Sequence, residues 1–137
     1  MRTTLCLGIF LALVHSFPAF ADQAVSPVLR SNFNSIWFEN WVGLSNAMLR
    51  VAAPDGSVET IYEERRTPRY RLSGARIVDG QYRFELRAAT DKTVALSEDL
   101  PWTADAKDRP STAPVPFYMS GAFQVRNGAV VQIADEP

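Results

Sequence analysis

The sequence predicts an all-β protein, a small β-sandwich of six to eight strands that follows an N-terminal signal peptide. Apolar residues alternate with polar ones along several short segments, which is the period of a β-strand. Turn signals rich in Gly, Pro, Asn and Asp separate these segments, and no long segment has the apolar spacing of an amphipathic helix. Short strands at this spacing favour two packed sheets.

The first 21 residues have the three parts of a secretory signal peptide. Arg2 supplies a positive charge, an apolar run follows from Leu5 to Val14, and a small-x-small cleavage site ends at Ala21. The apolar run of about ten residues is too short to cross a bilayer, which takes roughly 20. We therefore expect a periplasmic or secreted protein that does not span a membrane, with residues 22–137 forming a single domain.

The predicted cleavage removes Cys6 and His15, the one cysteine and the one histidine of the 137 residues. Without a thiol or an imidazole, the exported chain has no disulfide, no Cys/His or Ser/His/Asp catalysis, and no zinc or haem held by those side chains. Asp99, Asp105 and Asp108 lack the spacing of a calcium loop, and a sandwich this small rarely forms a glycosidase cleft. We expect no enzyme activity, no metal and no cofactor.

The main body of the domain is predicted at residues 33–100, and its first strand at residues 33–42. In an extended strand, Trp37 and Trp41 lie on the same side, about 13 Å apart at ~3.3 Å per residue. Such a pair can form a flat platform for sugar rings or for partner side chains. The alternative is that both rings are buried, which is the usual state of tryptophan in a small domain.

A hairpin follows, because alternating runs at residues 47–51 and 58–63 flank the turn signal of Pro54, Asp55 and Gly56. A shorter run at residues 69–72 comes next. The clearest strand is at residues 81–87, which begins after an Asp-Gly turn and places three large apolar side chains on one face.

A weak strand at residues 93–96 precedes a proline-rich segment at residues 101–116, which the sequence predicts to be a loop because proline interrupts both helices and sheets. In this segment Trp102 is a candidate lid over the tryptophan platform. Residues 117–137 are predicted to form a C-terminal hairpin around the turn dipeptide Asn127-Gly128.

Two of these segments, AMLRV with PDG at residues 47–56 and DGQYRFEL at residues 79–86, resemble bacterial immunoglobulin-like modules of the flagellar-hook-cap and fibronectin-III-like kind. The resemblance covers roughly residues 33–90. It implies an immunoglobulin-like sandwich with a role in spacing, adhesion or assembly, and it carries over no catalytic residue. The aromatic segment at residues 33–41 and the Asn-Gly tail depart from the family pattern.

Arginines form the second candidate binding feature. The chain holds twelve arginines and two lysines, and a cluster contains Arg65, Arg66, Arg69, Arg71 and Arg76. Guanidinium groups suit carboxylates and phosphates, so this cluster predicts a surface for an anionic glycan or an acidic partner. The alternative is pairing with neighbouring glutamates on a solvated face. Nucleic acid is not expected, given the net charge of −1 and the predicted export.

These observations lead to a hypothesis about function. We expect an exported, non-enzymatic structural or adaptor protein of a bacterial cell envelope or surface assembly, with another envelope or surface protein as its partner. Strands near the chain ends would pair with the edge of a neighbour's sheet. The alternative is a carbohydrate-binding module that uses an exposed tryptophan face.

Overall fold

The computed structural model describes residues 25–73, 77–96 and 110–131. These residues form eight β-strands and no helix, so the prediction of a small all-β sandwich of six to eight strands is confirmed. No helix in the described ranges is long and apolar enough to cross a membrane. The predicted signal peptide lies outside the described residues.

The strands form two antiparallel sheets, one of three strands in the order β1-β2-β5 and one of five in the order β4-β3-β6-β7-β8. The strands are β1 (Val28–Asn32), β2 (Ser35–Glu39), β3 (Leu44–Ala52), β4 (Val58–Glu63), β5 (Tyr70–Arg71), β6 (Gly80–Ala95), β7 (Thr112–Arg126) and β8 (Ala129–Val130).

The core lies between the two sheets, and both contribute alternate side chains to it. Ile36 and Phe38 come from β2, and Leu49 and Leu86 come from β3 and β6, all essentially without solvent exposure. The Phe38 and Phe84 rings meet edge to face, with their centroids 5.5 Å apart, which is a favourable geometry for two aromatic quadrupoles. This contact joins the two sheets near the middle of the sandwich.

A second aromatic group packs in the core beside the start of β6. The rings of Tyr82 and Phe123 stack at 5.2 Å, and Tyr70 packs 6.1 Å from Phe123. The Tyr82 hydroxyl donates a hydrogen bond of 2.9 Å to the carbonyl of Val78. The strand predicted at residues 81–87 therefore buries its apolar face as expected.

The β3–β4 hairpin has the predicted turn. The Gly56 N–H donates to the Ala53 carbonyl at 3.0 Å, and Gly56 has a φ of 86°, a conformation that glycine adopts without strain. The Asp55 carboxylate accepts hydrogen bonds from both the backbone N–H and the hydroxyl of Ser57. These bonds lower the pKa of Asp55.

The structure corrects the predicted extent of two strands. Residues 112–116, predicted as part of a proline-rich loop, are the start of β7, and residues 93–95 continue β6 instead of forming a separate strand. β7 pairs with β8 across the turn at Asn127-Gly128, and it also pairs with β6 along most of its length. Prolines are compatible with this strand because they lie at its edge, where their missing N–H breaks no bond of the sheet.

The segment predicted as a strand at residues 33–42 is also shorter in the structure. Phe33 and Val42 lie in turns and are 69% and 80% exposed, and only the part between Ser35 and Glu39 forms a strand. Asn40 has a φ of 55°, which asparagine tolerates better than most residues. This turn breaks the alternation on which the prediction depended.

The turn between β7 and β8 occupies the predicted Asn127-Gly128 position, with φ values of 53° and 73°. The two backbone N–H groups of this turn donate to the Asp79 carboxylate at 2.7 and 2.9 Å. Asp79 thus links the turn through hydrogen bonds to the residues that precede β6. These hydrogen bonds stabilise the carboxylate anion, and they lower the pKa of Asp79.

We predict that Gly121→Ala destabilises the fold by about 1–3 kcal/mol, the usual cost of overpacking a core. A Cβ at this position would lie 2.7 Å from the Phe84 ring, which passes over the glycine. Urea unfolding measures the loss. Ser120→Ala, at the next position on β7, is the control and should leave the free energy of unfolding nearly unchanged. A Gly121→Ala protein as stable as the original would contradict the prediction.

Acid should weaken the attachment of the β7–β8 turn through Asp79. The pKa of Asp79 is lower in the folded chain than its unfolded value of about 3.9. The contribution of the ionised Asp79 side chain to the free energy of unfolding is therefore present above the unfolded pKa and is lost as the pH falls through the folded pKa. In Asp79→Asn we expect a lower stability near neutral pH and a shallower loss of stability in acid. The measurement is thermal unfolding from neutral pH to below pH 3.

Asp91→Asn is the matched control for that series, since its carboxylate accepts no hydrogen bond from the described residues. The two variants remove the same charge. If both showed the same dependence of stability on pH, the role given to the Asp79 hydrogen bonds would be wrong.

Candidate functional site

The outer face of the three-stranded sheet carries a tryptophan surrounded by arginines. Trp37 points outward from the middle of β2, and the Arg69 guanidinium lies over its ring, 4.4 Å from the centroid. Arg30 is directly opposite Trp37 on β1, and its Nε is 2.9 Å from a carboxylate oxygen of Glu39. A cation in this position is attracted by the electron-rich ring face.

Arg71 lies on this same face, because its register partner Ser35 is two residues before Trp37 on β2. Its side chain is exposed. The structure therefore brings together three of the residues that the sequence singled out, Trp37, Arg69 and Arg71. We call Trp37, Arg30, Arg69 and Arg71 the arginine–tryptophan face.

Trp41 lies elsewhere. After the turn at Asn40 its ring packs against Phe38, with the centroids 6.4 Å apart, and it joins the edge of the core. Its indole N–H is buried and has no acceptor among the described residues. The prediction that Trp37 and Trp41 share one face of a strand is therefore wrong, because the strand that would align them ends at Glu39. Trp102 lies outside the described residues.

Arg65 and Arg66 lie in the connection between β4 and β5, and both side chains are about 85% exposed. Each is 3.9 Å from the carboxylate of a neighbouring glutamate, Glu64 and Glu63 respectively. Ion pairs this long and this exposed contribute little to stability. This pairing matches the alternative interpretation of the arginine cluster.

The outer face of the five-stranded sheet, which we call the open face, was not predicted as a site. Its side chains form three rows across β4, β3, β6 and β7. The rows are Tyr62-Met48-Arg87-Tyr118, Thr60-Arg50-Glu85-Ser120 and Val58-Ala52-Arg83-Ala122. Tyr62 and Tyr118 are 73% and 58% exposed, and Arg87 lies 5.9 Å from the Tyr118 ring centroid. Exposed tyrosine and arginine are typical of protein interfaces.

The free side of β7 borders this face. The Gln124 carbonyl accepts a hydrogen bond from the Val131 N–H on the side of β7 away from β6. Because backbone direction alternates along a strand, the N–H and carbonyl groups of every second residue counted from Gln124 also point away from β6. The Val115 carbonyl, at an intervening position, accepts a bond from Thr90 of β6, as this alternation requires. On the side away from β6, no strand in the described part of the chain pairs with β7 between Thr112 and Ala122.

Prolines protect part of that side. Pro114 and Pro116 occupy outward positions in the alternation, where they offer no N–H to another strand. Tyr118, Ser120 and Ala122 follow at the next outward positions, and each offers an N–H and a carbonyl. We call these three residues the open edge. The alternation of residues 117–125 could have signalled a strand, but only the sheet order shows which side of it is free.

The described residues contain no group of three or more His, Cys, Asp or Glu side chains that could hold a metal ion. Comparisons of the chain with protein-family models, with curated proteins and with solved structures found no match. The features for binding that the described residues offer are thus a charged aromatic face, an open sheet face and a strand edge that no described strand pairs with.

Arg69→Gln should expose the ring of Trp37, because the guanidinium now covers one of its faces. We expect stronger acrylamide quenching of tryptophan fluorescence and a loss of about 0.5–1 kcal/mol of stability, the range for an exposed cation–π contact. Arg65→Gln removes an equal charge without touching a described tryptophan, and it should leave the quenching unchanged. Equal quenching in both variants would contradict the assignment.

Proposed function

We propose that this protein is an exported, non-enzymatic structural or adaptor protein of a bacterial cell envelope or surface assembly, and that it binds its protein partner by strand addition at the open edge. The observation that supports this most directly is the set of outward backbone groups at Tyr118, Ser120 and Ala122, which no strand among the described residues pairs with. A partner strand would form the next strand of the sheet beyond β7.

Strand addition draws its affinity from main-chain hydrogen bonds and its specificity from alternate side chains. Ser120 and Ala122 have small side chains that leave room for the larger residues of a partner strand beside them. Tyr118 and Arg87 provide a large contact at one end of the edge. Tyrosine and arginine commonly carry a large share of the binding energy in protein interfaces.

The edge is also preformed, which favours binding. β7 pairs with Gly80–Ala89 and with Thr93–Ala95 of β6, so its backbone is already extended before a partner arrives. A preformed strand loses little conformational entropy on association, and the affinity per contact is correspondingly higher. Pro114 and Pro116 limit pairing to the part of β7 beyond them, which reduces unspecific association along the strand.

The alternative proposal, a carbohydrate-binding module, has less support. A sugar platform needs an accessible aromatic ring face, and the Arg69 guanidinium lies over Trp37. Trp41 packs on Phe38 instead of extending the platform. We therefore favour the protein-binding role.

A proline substitution at Ser120 tests the open edge. The Ser120 N–H points away from β6, so Ser120→Pro should leave the β6–β7 pairing intact while it removes a donor and obstructs a partner strand. With a photo-crosslinking amino acid at position 118, we expect a covalent adduct with another protein in the cells that produce this chain. Ser120→Pro should reduce the adduct at least about tenfold, because both the hydrogen bond and close approach are lost.

Ser120→Ala keeps the backbone N–H and should keep the adduct, and the same crosslinker at Arg65 should not form it. Unfolding curves check that each variant is folded. The proposal fails if the adduct is insensitive to Ser120→Pro, or if the protein is a strict monomer in light scattering and forms no protein adduct at position 118.

A further inference from the structure

The two sheets leave a cleft of about 290 Å³ between them at the end of the sandwich beside the β3–β4 turn. Its apolar lining includes Val51, Leu72 and Ile77, which belong to the core or pack against it. Asp55 and Glu59 line the same cleft from the turn and from β4. The cleft thus combines an apolar wall with two carboxylates.

The cleft exists because the two sheets are unequal. β5 contains only Tyr70–Arg71, so the three-stranded sheet ends after two residues on that side, while β4 continues for six. No described strand covers the gap between the outer edges of β4 and β5. In the described part of the chain, no strand therefore closes the core at this place.

A largely buried tyrosine lines the cleft. Tyr70 is only 8% exposed and lines the cleft, and its hydroxyl makes no hydrogen bond with any other described residue. Tyr82, its neighbour in the aromatic group, differs because its hydroxyl donates to the Val78 carbonyl. The Tyr70 oxygen is accessible from the cleft, since the one fully buried side-chain polar atom without a partner among the described residues is Trp41 Nε1, so a ligand in the cleft can reach this hydroxyl.

The electrostatic environment of this hydroxyl is negative. Burial, and then the nearby Tyr82, Glu59 and Asp55, raise the pKa of Tyr70 to about 12. One oxygen of Asp55 is already engaged by Ser57, whereas Glu59 forms no ion pair with another described residue. Tyr70 is therefore neutral at ordinary pH, and among the described residues the carboxylate without an ion pair at the opening of the cleft is that of Glu59.

We propose that this cleft is a binding site for a cationic group carried on an aliphatic stem, an alkylammonium or alkylguanidinium. The stem lies against Val51 and Leu72, and the cation reaches the Glu59 and Asp55 carboxylates. The Tyr70 hydroxyl accepts a hydrogen bond from the cation. An apolar stem with a charged head suits a site that has an apolar wall and a charged opening.

This chemistry is available from a lysine or arginine side chain of a peptide or from a free amine. The experiment uses the purified protein and two probes, Nα-acetyl-lysine N-methylamide and 1,5-diaminopentane, with Nα-acetyl-norleucine N-methylamide as an uncharged analogue. Binding is followed by the NMR shifts of the backbone amides of Ser57, Glu59 and Leu72. We expect dissociation constants of about millimolar for the cations and no saturable shift with norleucine.

Tighter binding of the lysine derivative identifies a peptide side chain as the ligand, and tighter binding of the diamine identifies a free amine. Glu59→Gln should weaken binding of the better cation roughly tenfold, as expected when a charge-assisted hydrogen bond is lost. Tyr70→Phe should weaken it by a smaller factor, because it removes the acceptor and keeps the ring.

Glu63→Gln is the matched control, on the same strand and the same side of the sheet as Glu59 but outside the cleft. It should leave the affinity unchanged. Equal effects of Glu59→Gln and Glu63→Gln, or equal shifts with norleucine and lysine, would overturn the proposal. Ser120→Pro should not alter cation binding, so this site and the open edge are tested separately.

Discussion

The antiparallel pairing of β6 with β7 is the interaction on which the rest of the structure depends. These two strands contribute the aromatic residues that join the sheets, and β3 aligns on the other side of β6. The pairing is tight enough at one point that the ring of Phe84 covers the backbone of Gly121, where any side chain would collide with it. An aromatic ring over a cross-strand glycine is a known means of stabilising a sheet at a residue that has poor strand propensity.

The inequality of the two sheets explains both places where this small domain is incomplete. In the described part of the chain, the five-stranded sheet extends beyond its three-stranded partner at the cleft beside Tyr70, and no strand pairs with the outward side of β7 before β8. A domain of this size buries a smaller fraction of its surface than a larger one. Leaving part of its core uncovered therefore reduces its folding stability by a relatively large share. The combination of these two places with exposed aromatic residues, prolines and unpaired carboxylates fits sites for binding better than accidental gaps.

The arginines that dominate the basic residues fill more than one role. Arg30 and Arg50 pair with glutamates across neighbouring strands, which stabilises a solvated sheet face modestly. Arg69 and Arg87 lie over aromatic rings instead. The planar guanidinium is suited to both contacts, whereas an ammonium group is less suited to stacking. The described members of the predicted arginine cluster are thus divided between the arginine–tryptophan face and the exposed connection before β5, and Arg76 lies outside the described residues.

The sequence by itself determined the all-β class, the β3–β4 hairpin and the Asn127-Gly128 turn, because alternation and turn chemistry act between residues close in the chain. It did not indicate β1, whose residues VLRSN gain a strand conformation only by pairing with β2. The prediction of a loop at residues 112–116 was wrong, because proline is excluded from a central strand but accepted at an edge. Which strand lies at an edge depends on the order of the strands in the sheet. The same limit applies to the sites: Trp37 and Arg69 meet, Trp41 turns away, and the open edge appears, only because tertiary structure brings distant segments together.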